Sequence, residues 1–182
     1  PTLPWELFRA AGYTPVYLRA GVPPADDGRL EANVFSARIR TLFGQAVSGA
    51  WKPLRLVGIA RSSEPDYKLH LYLREVVREG SVRDLPPLLF YDLLHSDTES
   101  ARNYGRARTV ALRSTLEGLS GRPITDETLT EAGTESNAAR SAHRRLQQLR
   151  LGNPRLSSGM AARLLGAFHV MPRADYARLA AA

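Results

Sequence analysis

Residues 54–77 limit the possible folds of this chain more than any other stretch. They begin with an apolar run of strand length, residues 54–60, which only Arg55 and Gly58 interrupt. A short polar turn follows, and after it apolar residues return at mixed spacings with charged residues between them, which is typical of a helix. Pro65 suits the first turn of that helix, because its missing N–H would have no intrahelical partner there. Strand, turn and helix together predict half of a βαβ unit.

Apolar spacing and turn residues predict the other elements along the chain. In order they are helix 2–12, strand 14–18, helix 30–48, strand 54–60, helix 66–79, strand 86–91 and four helices over 96–120, 125–151, 160–168 and 172–179. Strands that alternate with helices indicate a parallel sheet. We therefore expect an α/β fold: a small parallel βαβ (Rossmann-like) sheet of at least three strands, flanked by helices and followed by a helical C-terminal region.

The predicted domains are a parallel α/β domain over 1–95 and a helical region over 96–182 packed on it, with one domain overall as the alternative. Capping residues set the predicted helix ends. Thr2 is a candidate N-cap, and Ser96 and Glu99 are spaced as a capping box. The segment 152–154 ends the helix predicted over 125–151.

The turn after the strand over 54–60 is the predicted site. In open α/β sheets ligands bind beyond the carboxyl ends of the strands, which here is the segment from Arg61 to Glu64. The amides and dipole of the following helix favour an anion near Ser62 and Ser63. The alternative is that these serines only cap the helix.

One histidine joins the candidate site residues. His95 follows the end of the strand over 86–91, beside Asp92 and Ser96, where a catalytic base or a hydrogen-bonded turn histidine is expected. The candidate ligand-binding residues are therefore Arg61, Ser62, Ser63, Glu64 and His95. The sequence contains no Gly-rich phosphate loop and no pair of histidines at i, i+4 that would indicate zinc.

The chain is basic, with a formal net charge of +7 that comes almost entirely from arginine. An arginine excess accompanies nucleic-acid binding in some proteins and a GC-rich genome in others. These arginines are scattered and are not interleaved with aromatic residues, so nucleic acid is an unlikely partner. The densest cluster is Arg140, Arg144, Arg145, Arg150 and Arg155, with His143 among them, and we expect it to be a solvated helix face or a surface for an anionic partner.

The chain contains no cysteine, which excludes disulfides, thiolate nucleophiles and cysteine-bound metal clusters within these residues. No apolar run approaches the length of about 20 residues that spans a bilayer. A cytoplasmic location, in a bacterium, is the expectation.

Several segments, in this order, resemble the 2-hydroxyacyl-CoA dehydratase and benzoyl-CoA reductase family, in the N-terminal domain of its D-component type of subunit. The resembling segments are Leu3–Leu7, Ala10–Val16, Ala37–Gly49, Val57–Ile59, Gly121–Glu127, Asn153–Ala162 and Gly166–Pro172. Their order and spacing carry the resemblance, and the last three are the most specific.

The resemblance implies a subunit of a two-subunit enzyme that holds a [4Fe–4S] cluster on cysteines. Such enzymes dehydrate a 2-hydroxyacyl-CoA or reduce an aromatic thioester, with an electron from an ATP-hydrolysing activator. The family's cysteine positions correspond here to Val34 and Ser63. Because iron in these clusters needs thiolate ligands, we predict that this chain does not bind the cluster.

Three hypotheses follow. The first is a cluster-less structural or acyl-CoA-binding partner of a homologous, cluster-bearing subunit, with self-association as a further expectation. The second is an enzyme with different, non-iron–sulfur chemistry around Ser63, Glu64 and His95. A basic nucleic-acid-binding domain is a distant third.

Overall fold

The structure is a computed structural model that describes residues 3–21, 29–151 and 157–180. Its elements are α1 (Trp5–Ala10), α2 (Ala37–Val47), β1 (Val57–Ala60), α3 (Glu64–Arg78), β2 (Leu88–Tyr91), α4 (Glu99–Ser120), α5 (Asp126–Gln148), α6 (Ser158–Val170) and α7 (Arg173–Leu179). The predicted N-cap Thr2, the break at 152–154 and Arg155 lie outside the described residues.

The predicted βαβ unit is confirmed. β1 and β2 pair in parallel, with Val57 opposite Leu88 and Ala60 opposite Tyr91, and α3 connects them. Both strands are shorter than predicted. The mixed α/β class therefore holds, whereas the Rossmann-like topology stays a prediction.

The prediction of a third strand over 14–18 is wrong. Residues 13–21 form neither helix nor strand, and the described sheet has two strands. The backbone N–H of Tyr17 donates to the carbonyl of His169, 3.0 Å away, near the end of α6. This hydrogen bond holds the segment against a helix end instead of against a strand.

α3 has clear local causes. Ser63 is its N-cap, Pro65 lies in its first turn, and Gly80 follows its C-terminus with φ +72°, a conformation that favours glycine. Its buried residues, Leu69, Leu73 and Val76, recur at spacings of four and three, so that they share the face that packs inward.

Two predicted helix starts need correction. α2 begins at Ala37, capped by Ser36, and the residues before it form turns instead of the first part of a helix from residue 30. α4 is not opened by a Ser96–Glu99 capping box, because the Thr98 hydroxyl accepts the hydrogen bond from the Ala101 N–H at 3.2 Å.

The chain forms two compact units. The sheet unit comprises Pro1–Leu3 and Arg19–Leu112, and the helical unit comprises Pro4–Leu18 and Arg113–Ala182. The grouping places α1 with the C-terminal helices. The predicted domain division at residues 95 and 96 stays a prediction.

α5 is the centre of the helical unit, where α1, α6 and α7 all contact it. Its buried face is made mostly of small side chains, including Ala139 and Ala142, which let neighbouring helices approach closely. Tyr176 of α7, fully buried, completes the core with Leu146. Within the described ranges, no helix combines the length and apolarity needed to cross a membrane.

Candidate functional site

Two charged residues lie side by side where the strands of the sheet unit end. Arg61 follows β1, and its backbone N–H donates to the carbonyl of Tyr91 at 2.9 Å, which extends the ladder by one residue. Asp92 follows β2 directly. The guanidinium carbon of Arg61 lies 4.7 Å from the ring centre of Tyr67, a cation–π contact that holds this exposed side chain over α3.

α4 adds two residues to this edge. The Tyr104 hydroxyl donates to Asp92 Oδ2 at 2.8 Å. Arg108 donates from Nη2 to the Phe90 carbonyl at 3.0 Å, and its Nε lies 3.2 Å from Asp92 Oδ1, at ion-pair distance but not in hydrogen-bonding orientation. We call Arg61, Asp92, Tyr104 and Arg108 the strand-end cluster. It concentrates two cations around one carboxylate, so its net charge favours an anion.

The hydrogen bond to Asp92 raises the pKa of the Tyr104 phenol, and burial and the carboxylate charge add to the shift. The phenol is therefore a neutral hydrogen-bond donor at physiological pH. Sequence reasoning missed both Tyr104 and Arg108. Their i, i+4 spacing on a helix that directly follows β2 was the available signal, because residues so spaced share one face.

The hydroxyl of Ser63 caps α3, which is the alternative to anion binding that the sequence predicts for this turn. Its Oγ accepts from the Asp66 N–H at 3.4 Å and donates to Asp66 Oδ2 at 2.7 Å. Asp66 also accepts from Arg38 Nη1 at 2.8 Å, which links the start of α3 to α2. The hydroxyl proton is thus directed to a carboxylate of the same turn, an arrangement that stabilises the helix end.

The structure brings together only some of the predicted site residues. Arg61, Ser62, Ser63 and Glu64 form one exposed turn, as predicted. His95 is exposed and forms no hydrogen bond with any described residue, so it is not oriented as a base. The role of all five residues as a ligand site stays a prediction.

The resemblance implies cysteine positions at Val34 and Ser63, and these two residues lie in different settings. Val34 is 53% exposed in the turn before α2, while Ser63 caps α3. Neither an aliphatic side chain nor a capping hydroxyl supplies the thiolate that an iron–sulfur cluster requires. The chain has no cysteine, and across the described ranges no three His, Cys, Asp or Glu side chains converge on a possible metal position. The residues present do not fit the cluster.

The prediction that His143 lies on a solvated face is wrong. Its Nδ1 is 2.9 Å from the Tyr176 hydroxyl and its ring centre is 4.5 Å from that of Phe168, inside the helical unit. Burial lowers the pKa of His143, and the nearby His169 and Arg173 lower it further. The neutral imidazole is therefore the form that this packing favours.

The basic cluster around His143 divides into two parts. Arg140 is paired with Glu6, with Nη2 2.6 Å from Oε1. Arg144, Arg145 and Arg150 are exposed, as predicted for a solvated face.

Comparison with known families identifies a group of proteins that the chain is similar to. A family model described as 2-hydroxyglutaryl-CoA dehydratase, D-component, matches residues 2–182 of the chain. The match confirms the resemblance inferred from the sequence segments, and it includes both compact units and the strand-end cluster. No curated protein matches the chain.

Proposed function

The chain belongs to the 2-hydroxyglutaryl-CoA dehydratase D-component family, and we propose that it acts there as a cluster-less component. In this role it is a structural or acyl-CoA-binding partner of a homologous subunit that carries the iron–sulfur cluster. One observation carries the proposal: the family match extends over residues 2–182, yet these residues include no cysteine.

The local structure at the cluster position supports a scaffold role. Ser63 keeps the N-cap of α3 in place and is tied through Asp66 to Arg38 of α2. This turn has a structural use that is independent of any metal. An enzyme with other chemistry around Ser63, Glu64 and His95 has less support, because Ser63 is engaged as a cap and His95 has no hydrogen bond to any residue that the structure describes.

The proposal predicts association with a cysteine-bearing homologue. We expect the tagged chain, expressed in its source organism, to co-purify with such a subunit in a fixed ratio, identified by mass spectrometry, and iron to be found in the complex. The isolated chain, reconstituted anaerobically with iron and sulfide, is expected to show no visible charge-transfer absorption. Stoichiometric iron in the isolated chain, with a cluster EPR signal on reduction, would refute the cluster-less assignment.

Acyl-CoA binding at the strand ends is the finer part of the proposal. Arg61 and the N-terminus of α3 favour an anion there. Glu64 opposes one, and the positive charge of Arg108 is offset by Asp92, so that the local field is nearly balanced. We therefore expect weak binding of short acyl-CoA thioesters, with a dissociation constant of roughly 0.1–1 mM.

The binding prediction is tested by calorimetry or NMR titration of the wild type, Arg61→Ala and Ser63→Ala. Arg61→Ala is expected to weaken binding several-fold because it removes the exposed cation of the turn. Arg74→Ala is the matched control, since Arg74 is an exposed arginine farther along α3, and its affinity should equal that of the wild type. Equal affinity for all variants, or shifts confined to the helical unit, would leave the turn as a helix cap only.

A further inference from the structure

The outward side of α5 carries its charges in two opposite blocks. Exposed positions spaced alternately four and three residues apart follow one side of the helix. They are Glu127, Glu131, Thr134, Ala138, Ser141, Arg145 and Gln148. We call these residues, with the neighbouring Arg144, the α5 outer face. Its first part is acidic, its middle is small and uncharged, and its last part is basic.

The charges of this face are only partly explained within the chain. Glu127 in the first turn and Arg145 in the last turn complement the helix dipole. That effect fades beyond the terminal turns, so it does not account for Glu131 or Arg144. Glu131 and Arg145 form no ion pair or hydrogen bond with any of the described residues, and both remain available to another molecule.

We propose that the α5 outer face is the contact surface for a second copy of this chain, packed antiparallel about a two-fold axis at Ala138. Glu131 and Arg145 each lie seven residues from Ala138, on opposite sides, which is about 10 Å along the helix. The two-fold axis therefore places Glu131 of one copy opposite Arg145 of the other, twice. A parallel arrangement would place like charges together. Such a contact is self-complementary and closed.

The shape of the face suits the same partner. Ala138 at the axis and the flanking Thr134 and Ser141 are short, so two helices can approach to an interaxial distance of about 8–10 Å. The basic end borders an open groove of about 440 Å³, lined by Arg145, Leu146, Gln148, Leu149 and Ala180. The acidic N-terminal end of the second α5 meets this groove in the antiparallel arrangement. The contact is small and polar, and the dimer is accordingly weak and sensitive to salt.

Sedimentation equilibrium over a concentration series, at low and high ionic strength, tests the proposal. We expect dimerisation of the wild type that weakens with salt. Glu131→Arg and Arg145→Glu should each raise the dissociation constant of the dimer about tenfold or more, because each reverses two ion pairs into repulsions. The double variant Glu131→Arg/Arg145→Glu should restore dimerisation, since opposite charges again face each other.

Two further variants make the test specific. Arg106→Glu reverses an exposed arginine on α4, outside the face, and should leave the dissociation constant unchanged. Ala138→Arg sets two like charges at the axis and should abolish dimerisation. Circular dichroism and thermal unfolding verify that each variant is folded. A wild type that is monomeric throughout, a double variant without restored association, or an equal effect of Arg106→Glu would overturn the proposal.

Discussion

Replacing Tyr176 with alanine is expected to lower the free energy of unfolding by about 3–5 kcal/mol, the range for removing a buried aromatic side chain. Tyr176 is fully buried, and its ring centre lies 5.2 Å from that of Phe168 and 6.0 Å from that of His143. Its removal leaves a cavity between α5, α6 and α7. Because domains are stable by only about 5–15 kcal/mol, this loss is a large part of the total. Urea unfolding followed by circular dichroism measures it.

The variant Tyr176→Phe distinguishes the contribution of the ring to stability from that of the hydroxyl. This variant keeps the packing and loses the 2.9 Å hydrogen bond to His143 Nδ1, so we expect a cost of about 1 kcal/mol. If the alanine variant cost no more than the phenylalanine variant, the cavity argument would be wrong, and the hydrogen bond would be the main contribution of this residue.

The parts of the fold that could be predicted from the sequence are those with local causes. Ser63 at the N-cap of α3 and Thr125 at that of α5 act through hydrogen bonds within a few residues, so their sequence pattern suffices. The βαβ unit was predictable because a strand, a turn and a helix each leave their own periodicity. The strand predicted over 14–18 failed because residue preferences do not reveal the partner of Tyr17, a carbonyl more than 150 residues away in the sequence.

The helix predicted from residue 30 failed for a related reason. Leu30 and Val34 are spaced like one face of a helix, but Val34 is exposed and Ser36 caps the helix that begins after it. A spacing of four residues is a weak signal when a good N-cap follows it.

The candidate site shows the same division between local and distant causes. The turn from Arg61 to Glu64 was predictable from the end of β1. The spacing of Tyr104 and Arg108 places them on one face of α4, but it does not predict the strand-end cluster, because only the folded chain brings Tyr104 to Asp92. The arginines beside His143 in the sequence predict a solvated face, yet its partner Tyr176 comes from another helix. Charge patterns along one helix identify its exposed side and do not reveal which residues at its margin are packed.

Leu73→Ala is expected to destabilise the sheet unit by about 2–5 kcal/mol. Leu73 is fully buried at the middle of the inward face of α3, with Leu69 and Val76 on either side. Removing three carbon atoms there costs both the burial of apolar surface and the cavity that remains. The strand-end turn precedes α3 directly, so loosening this helix should also weaken any ligand binding at Arg61.

Tryptophan fluorescence can measure the stability of the sheet unit separately, because the chain contains only two tryptophans, Trp5 and Trp51. Trp51 is buried in the sheet unit, so in a Trp5→Phe background its fluorescence reports unfolding of that unit. Leu73→Met keeps most of the volume and should cost less than about 1.5 kcal/mol. Arg74→Ala, one residue away on the exposed side of α3, should change stability by no more than about 0.5 kcal/mol. Equal effects of Leu73→Ala and Arg74→Ala would mean that the packing of α3 at Leu73 does not stabilise this unit.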